Sequence, residues 1–168
     1  RLATRLAEPT PDRLKIAASI LLLTPAHVKL YAGDETGIKG FSDFKDFKNK
    51  WFHATVATMA WDGSKNGGFS TSDAPVVPVT DDYAAVNVKS QDKDETSLLN
   101  HYRGLLKLKN SRPDLFFKGE RVALNAANDK VYAYLLNGGN ATAMALINLS
   151  GKPEQFSIDL SAFRPDKM

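Results

Sequence analysis

The sequence predicts an α/β part over residues 1–113, followed by an all-β part, an antiparallel β-domain, over residues 114–168. In the first part, two apolar patterns of helical period flank a short strand pattern and a long loop. In the second part the apolar period changes to two, and clusters of turn-forming residues separate the segments. The boundary is placed at residues 113–119, where the period changes.

The first helix is predicted to begin after Thr10, whose hydroxyl can accept a hydrogen bond from a free backbone amide. Pro11 suits the first helical position, and Pro25 ends the pattern. A short strand over residues 28–32 follows, closed by Gly33, and a helix that feeds a strand is typical of a parallel sheet. The apolar positions of this helix are Leu14, Ala17, Ala18, Leu21 and Leu22.

Residues 36–96 show little periodicity, and loops of such length are either functional or disordered. Scattered aromatic residues favour an ordered loop, because disordered linkers contain few of them. Residues 42–51 are predicted to form a short helix of their own. The aromatic residues are Phe41, Phe44, Phe47, Trp51, Phe52, Trp61 and Phe69.

A second helix is predicted to begin at Thr96 or Ser97 and to end before Pro113. Its basic residues are expected away from the apolar face or near the negative end of the helix. The apolar face comprises Leu98, Leu99, Tyr102, Leu105 and Leu106, and the basic residues are Arg103, Lys107 and Lys109. After it, strands of an antiparallel meander are predicted over residues 121–124, 130–136, 141–148 and 155–160.

Composition excludes several classes of function. The net charge is +3, from 22 basic and 19 acidic residues without a long run of one sign, so no nucleic-acid partner is predicted. The longest uncharged run, residues 16–28, is short of the roughly 20 apolar residues of a membrane span, so no membrane partner is predicted. The chain has no cysteine, and its histidines lack metal-ligand spacing, so no metal site is predicted. Its localisation is left open.

Four segments, in order, carry a family resemblance. Residues 31–35 read Tyr-Ala-Gly-Asp-Glu, and residues 59–70 read Met-Ala-Trp-Asp-Gly-Ser-Lys-Asn-Gly-Gly-Phe-Ser. Residues 97–105 read Ser-Leu-Leu-Asn-His-Tyr-Arg-Gly-Leu, and residues 131–134 and 145–150 read as the first strands of a β-domain. Together they resemble the C-terminal portion of a glycoside hydrolase family 13 enzyme, the α-amylase and α-glucosidase family. The resemblance implies that residues 1–113 are the end of a catalytic (β/α)-barrel, with its last strand, long loop and last helix. Residues 114–168 would then be an incomplete domain C.

The resemblance also implies a function. The parent enzyme is expected to be a retaining α-glycosidase acting on α-glucosidic bonds of starch-derived glucans or maltooligosaccharides. Its nucleophile, acid/base and third carboxylate are expected upstream of Arg1, so this chain alone is predicted to hold no catalytic residue and to be inactive. The expected partners are the α-glucan or maltooligosaccharide substrate and the N-terminal barrel portion. No cofactor is expected, and although calcium can occur in the complete enzyme, no site for it is identified here.

Several positions depart from the family pattern and leave the sugar specificity open. They lie before and within the expected last strand and in the long loop, where the family's substrate-facing arginine is replaced by Val56. The other departures are Ala26, Val28, Ala32, Thr58 and Ala60.

Three residues are candidate substrate contacts: Asp34, Trp61 and Asp62. Asp34 and Glu35 cannot act as a catalytic pair, because neighbours on a strand point to opposite faces and retention needs carboxyls about 5 to 5.5 Å apart. The resemblance implies that Asp34 supports the pocket at the barrel mouth, where it would touch the sugar or a residue that does; otherwise it would stabilise a turn or form a buried ion pair. Trp61 would stack on a sugar ring or pack the loop, and Asp62 would bind a hydroxyl or cap the turn before Gly63.

Two other functions remain open. One is a non-catalytic carbohydrate-binding or interaction module of the same ancestry, and the other is an unrelated α/β domain with a loop-borne site. Because one strand with two helices cannot close a barrel, the chain is expected to be ordered only within, or docked on, a larger polypeptide.

Overall fold

The computed structural model describes residues 2–6, 8–40 and 57–160; the predicted helix over residues 42–51 and Val56 lie outside them. The elements follow in chain order. The helices are α1 (Leu2–Arg5), α2 (Pro11–Leu23), α3 (Val88–Asp92), α4 (Leu98–Ser111) and α5 (Pro113–Phe116), with a 3-10 turn at Lys65–Gly68 before α3. The strands are β1 (Glu120–Leu124), β2 (Val131–Asn137) and β3 (Thr142–Asn148).

The chain divides into two compact units. Unit 1 comprises residues 1–15 and 29–103, and unit 2 comprises residues 16–28 and 104–168. Helices α2 and α4 each contribute residues to both units.

Both predicted helices are confirmed, together with the residues expected to cap them. The Thr10 Oγ1 atom accepts a hydrogen bond from the Arg13 amide at 3.4 Å, and the Ser97 Oγ atom accepts one from the Asn100 amide at 3.2 Å. Each cap satisfies an amide that lacks a partner in the first helical turn. The buried apolar side chains of α2 and α4 are Leu14, Ala18, Leu22, Leu98, Leu99 and Tyr102.

Lys109 lies in the last turn of α4, near the negative end of the helix, which is one of the two positions predicted for the basic residues. Its burial was not predicted, since only 3% of its surface is exposed. Its Nζ atom donates a hydrogen bond to the Thr24 carbonyl at 2.7 Å and lies 5.1 Å from the centre of the Phe117 ring. Lys109 follows Tyr102 by seven residues, or two helical turns, so helical geometry puts it on the buried side despite its charge.

Unit 2 is built on an antiparallel sheet in the order β1-β2-β3, as the period of two predicts. In the register of β2 with β3, Tyr134 pairs with Ala145 and Leu136 with Ala143. One face of this sheet packs on helix α5 and on α2 residues of the same unit. The buried cluster comprises Leu115, Phe116, Tyr134, Leu136, Ala145 and Ile147, with Ile16, Ile20 and Leu23 packed against it.

Two predicted strands are not formed. Residues 28–31 have no regular structure and residue 32 begins a turn, while residues 155–160 are also irregular. A strand needs a neighbour to receive its backbone hydrogen bonds, and neither segment pairs with a strand in the described part of the chain. An apolar pattern alone therefore does not make a strand here.

Unit 1 has a small buried cluster within the predicted long loop, formed by Ile38, Ala57 and Ala60. Part of that loop is helical, because Asn87 and Ser90 form a reciprocal capping box that begins α3. The Asn87 side chain accepts from the Ser90 amide at 2.8 Å. The described part of the loop is therefore ordered, as its aromatic content predicts.

Candidate functional site

The turn that carries Asp34 is held by hydrogen bonds on several sides. Asp34 is 7% exposed, and its Oδ1 atom accepts a hydrogen bond from the amide of Leu2, the first residue of α1, at 2.9 Å. The Glu35 carboxylate accepts from the Gly33 amide at 2.8 Å, and the Thr36 hydroxyl donates to the Gly33 carbonyl at 3.2 Å. The two neighbouring carboxylates thus serve different backbone segments, and Asp34 is the one that reaches a distant residue.

Tyr102 of α4 lies in the surroundings of this turn. Burial, followed by the negative charges of Asp34 and Glu35, raises the pKa of Tyr102 well above its ordinary value. Its side chain is 1% exposed, and the hydroxyl has no hydrogen-bond partner among the residues that the structure describes. Tyr102 is therefore a buried, neutral hydroxyl that is influenced by the charges of both carboxylates.

Trp61 combines a fixed backbone with an exposed ring. Its amide donates to the Gly67 carbonyl at 2.7 Å, and its carbonyl accepts from the Lys89 amide at 2.9 Å. The side chain is nevertheless 51% exposed. The backbone of Trp61 is therefore fixed, while its indole presents a flat apolar surface to solvent.

Asp62 closes the turn that follows Trp61. Its Oδ1 atom accepts hydrogen bonds from the Ser64 amide at 2.9 Å and from the Ser64 hydroxyl at 2.5 Å. These bonds, the hydroxyl first, lower the pKa of Asp62, so the side chain is a carboxylate at neutral pH. This geometry is that of a turn cap, and both hydrogen bonds use the same carboxylate oxygen, Oδ1.

Helix α3 connects the two candidate segments. At its beginning, the Val88 amide donates to the Ala60 carbonyl at 3.1 Å, and the Lys89 amide donates to the Trp61 carbonyl. Near its end, the Gln91 side chain donates to the Thr36 carbonyl at 2.9 Å. A helix of five residues is about 7.5 Å long, so the Asp34 turn and the Trp61 segment meet the same short element.

An apolar cavity of about 510 Å³ lies beside the Trp61 segment in unit 1. Met59 and Phe69 line it together with residues 74–77, and the Thr58 hydroxyl is turned to the Val77 carbonyl at 2.7 Å. Among the described residues, no group of three His, Asp or Glu side chains is placed to hold a metal ion. None of the helices in the same ranges has the length and apolar content to cross a membrane.

The described residues provide an exposed indole at Trp61 and carboxylates at Asp34 and Asp62 that are held by hydrogen bonds. A family model described as "Alpha amylase, catalytic domain" matches residues 1–119. The chain belongs to the α-amylase family, glycoside hydrolase family 13. The family predicted from the four sequence segments is thereby confirmed.

Two α-glucosidases are similar to this chain in sequence. An α-glucosidase of Culex pipiens is 30% identical over 160 residues, which is 94% of this chain and 26% of that protein. An α-glucosidase of Candida albicans is 38% identical over 99 residues, which is 58% of this chain and 17% of that protein.

A solved structure gives the same family likeness in three dimensions. The isomaltulose synthase SmuA from Protaminobacter rubrum matches with a TM-score of 0.75 and 25% identity, over 89% of this chain and 32% of that structure. This chain therefore spans between about a sixth and a third of the length of these relatives. The barrel-plus-β-domain architecture of the family agrees with the antiparallel sheet of unit 2.

Sequence reasoning found Asp34, Trp61 and Asp62, and their roles in substrate binding stay predictions. It missed Gln91, which lies in a segment predicted as loop, and the chemical setting of Tyr102, which was predicted only as part of an apolar face. The capping pair Asn87 and Ser90 is the signal that would have revealed α3. Nothing in the sequence pattern indicates that Gln91 contacts a residue 55 positions away.

Proposed function

We propose that the complete protein is a retaining α-glucosidase that cleaves α-glucosidic bonds of starch-derived glucans or maltooligosaccharides. The observation that carries the proposal is the likeness to the Culex pipiens α-glucosidase along nearly the whole chain, together with the family match over residues 1–119. Retention of configuration follows from the mechanism that the family resemblance implies, with two carboxyls on opposite sides of the bond.

Within that enzyme, residues 1–113 are proposed to be the C-terminal segment of the catalytic barrel and residues 114–168 the beginning of domain C. The end of the family match, at residue 119, favours this boundary. The segment of residues 28–32 would complete its backbone hydrogen bonds as the last barrel strand, beside strands of the N-terminal portion.

This chain is proposed to shape the mouth of the substrate pocket and to leave the chemistry to carboxylates outside residues 1–168. Trp61 is the proposed sugar contact, since its ring is half exposed on a fixed backbone. Asp62 is proposed to reach a sugar hydroxyl with its second oxygen. Asp34 is proposed to support the pocket through the turn it anchors, since its Oδ1 atom is occupied by the Leu2 amide.

Kinetics of the full-length protein test the role of Trp61. With maltose as substrate, Trp61→Ala is expected to raise KM about fivefold with a smaller change in kcat, because stacking of a ring contributes roughly 1 kcal/mol to binding. Trp61→Phe keeps an aromatic face and is expected to retain most of the affinity. Equal KM values for the wild type and Trp61→Ala would show that Trp61 does not contact the substrate.

The isolated chain of 168 residues tests whether the catalytic carboxylates lie outside it. The full-length protein is expected to hydrolyse maltose or p-nitrophenyl α-glucoside, and this chain alone to hydrolyse neither. Hydrolysis by the isolated chain would overturn the proposal, as would a full-length protein that binds maltooligosaccharides without cleaving them. The latter result would identify the protein as a carbohydrate-binding module of the same ancestry.

A further inference from the structure

Gln91 is hydrogen-bonded to two different parts of unit 1, the turn at Thr36 and the beginning of α4. Its Nε2 atom donates to the Thr36 carbonyl at 2.9 Å, and its Oε1 atom accepts from the Leu99 amide in α4 at 3.1 Å. Its backbone carbonyl accepts from the Ser97 hydroxyl at 2.8 Å and from the Asn100 side chain at 3.1 Å. Both polar ends of the side-chain amide are thereby used, each with good geometry.

The two ends of α3 have different neighbours. The amides of its first two residues donate hydrogen bonds to the Ala60 and Trp61 carbonyls, and the side chain of its fourth residue, Gln91, donates to the Thr36 carbonyl in the turn that contains Asp34. Thr36, the acceptor in that turn, is only 2% exposed, so its carbonyl belongs to a buried segment. A hydrogen-bonded route therefore runs from the Asp34 turn through Gln91 and α3 to the backbone of Trp61.

We propose that Gln91 is a positioning residue that fixes the Trp61 segment relative to the Asp34 turn. The proposal rests on the function given above, because Trp61 matters only if its ring meets the substrate. A helix of five residues is too short to be stable by itself, so tertiary contacts such as those of Gln91 decide where α3 lies. Loss of the bond to Thr36 would release α3 from the turn, and the Trp61 backbone with it.

Two substitutions separate the bonds of Gln91. Gln91→Glu keeps an oxygen for the Leu99 amide but sets a second oxygen against the Thr36 carbonyl, so it removes the bond to the turn and adds repulsion. Gln91→Met has a similar length and removes both bonds. The other glutamine of the chain, Gln155, lies exposed in unit 2, and Gln155→Glu and Gln155→Met are the matched controls.

Hydrogen exchange of the full-length protein, followed by mass spectrometry, tests positioning without reference to activity. Peptides covering residues 60–70 and 88–92 are expected to exchange faster in Gln91→Glu and Gln91→Met than in the wild type, and to stay unchanged in the two Gln155 variants. Unchanged exchange in both Gln91 variants would overturn the proposal, whatever the enzyme acts on. Faster exchange in the Gln91 variants, together with a full-length protein that lacks glucosidase activity, would contradict the proposed function and leave the positioning role supported.

A double-mutant cycle that measures KM for maltose distinguishes a positioning role of Gln91 from a general effect on stability. Gln91→Glu is expected to raise KM about fivefold with kcat within twofold, as for the loss of one hydrogen bond that holds a binding group. In the Trp61→Ala background the same substitution is expected to change KM by less than twofold, because the ring it positions is already absent. Independent effects of the two substitutions, or a lowered melting temperature with unchanged KM, would contradict the positioning role.

Discussion

At the scale of single residues, local chemistry was predictable and distant partners were not. Asp62 was expected either to cap its turn or to bind sugar, and its bonds to Ser64, two residues away, follow from the known behaviour of Asp in turns. Lys109 shows the opposite case. Its partner, the Thr24 carbonyl, lies 85 positions away, and no pattern near Lys109 reveals it.

Lys109 leads to a prediction on pH. Burial lowers the pKa of Lys109 below its ordinary value of 10.5. The unfolded chain keeps this proton up to about pH 10.5, whereas the folded chain releases it earlier, so unfolding takes up a proton in the window between. The free energy of unfolding is therefore expected to rise with pH across that window.

Urea denaturation at several values between pH 7 and pH 10 measures this effect. The free energy of unfolding of the wild type, relative to that of Lys109→Met, is expected to increase with pH and to be smallest at neutral pH. Lys107→Met, at an exposed position of the same helix, is the control for the loss of a lysine charge. A difference that falls as pH rises would mean that the folded state binds the proton more tightly than the unfolded chain.

At the scale of elements, capping and periodicity located the helices, while pairing decided which apolar segments became strands. Residues 121–124, 130–136 and 141–148 share the period of two with residues 155–160, and β1, β2 and β3 form where neighbours pair. The apolar alternation in the sequence indicates that a segment can form a strand. The ladder of backbone hydrogen bonds exists only where a second segment lies alongside.

Strand β3 allows a prediction with an internal control. Ile147 is 6% exposed in the cluster with Tyr134 and Leu136, whereas its neighbour Leu146 is 46% exposed. Ile147→Ala is expected to lower the free energy of unfolding by roughly 2 to 4 kcal/mol and Leu146→Ala by less than about 1 kcal/mol, because only the first leaves a cavity. Urea denaturation of both variants checks the difference. Similar losses would show that the register of β2 with β3 is not the one described.

At the scale of the whole molecule, the described chain exposes much apolar surface. Val76 is 85% exposed and Phe69 58%, and Leu146 and Met144 are exposed on β3. Exposed apolar side chains and unpaired strand edges favour association between chains.

The isolated chain of 168 residues is accordingly expected to self-associate. Size-exclusion chromatography with light scattering is expected to show species larger than the 18.4 kDa monomer, and Leu146→Lys to reduce their fraction. Arg121→Lys, a charge-conserving change at an exposed position of β1, is the control and is expected to leave the distribution unchanged. A monodisperse monomer that melts cooperatively would contradict the expectation that the chain needs a larger polypeptide.

Only part of the candidate site could be predicted from the sequence. The segments around Asp34 and Trp61 stand out in sequence because their residue order resembles a known family. Helix α3 went unnoticed because a five-residue helix has too few turns for periodicity to show. The bond from Gln91 to Thr36 joins residues 55 positions apart and has no local signature.

By itself, the sequence determined the family, the two long helices with their caps, and the change to an antiparallel sheet. These depend on neighbours within about one helical turn or on the alternation along a strand, which a linear pattern contains. The tertiary structure decided which apolar segments pair, that Lys109 is buried, and that Asp34 reaches the Leu2 amide. Those outcomes depend on which distant groups meet in space, and the free energy of a hydrogen bond or a buried side chain is defined only when its partner is present.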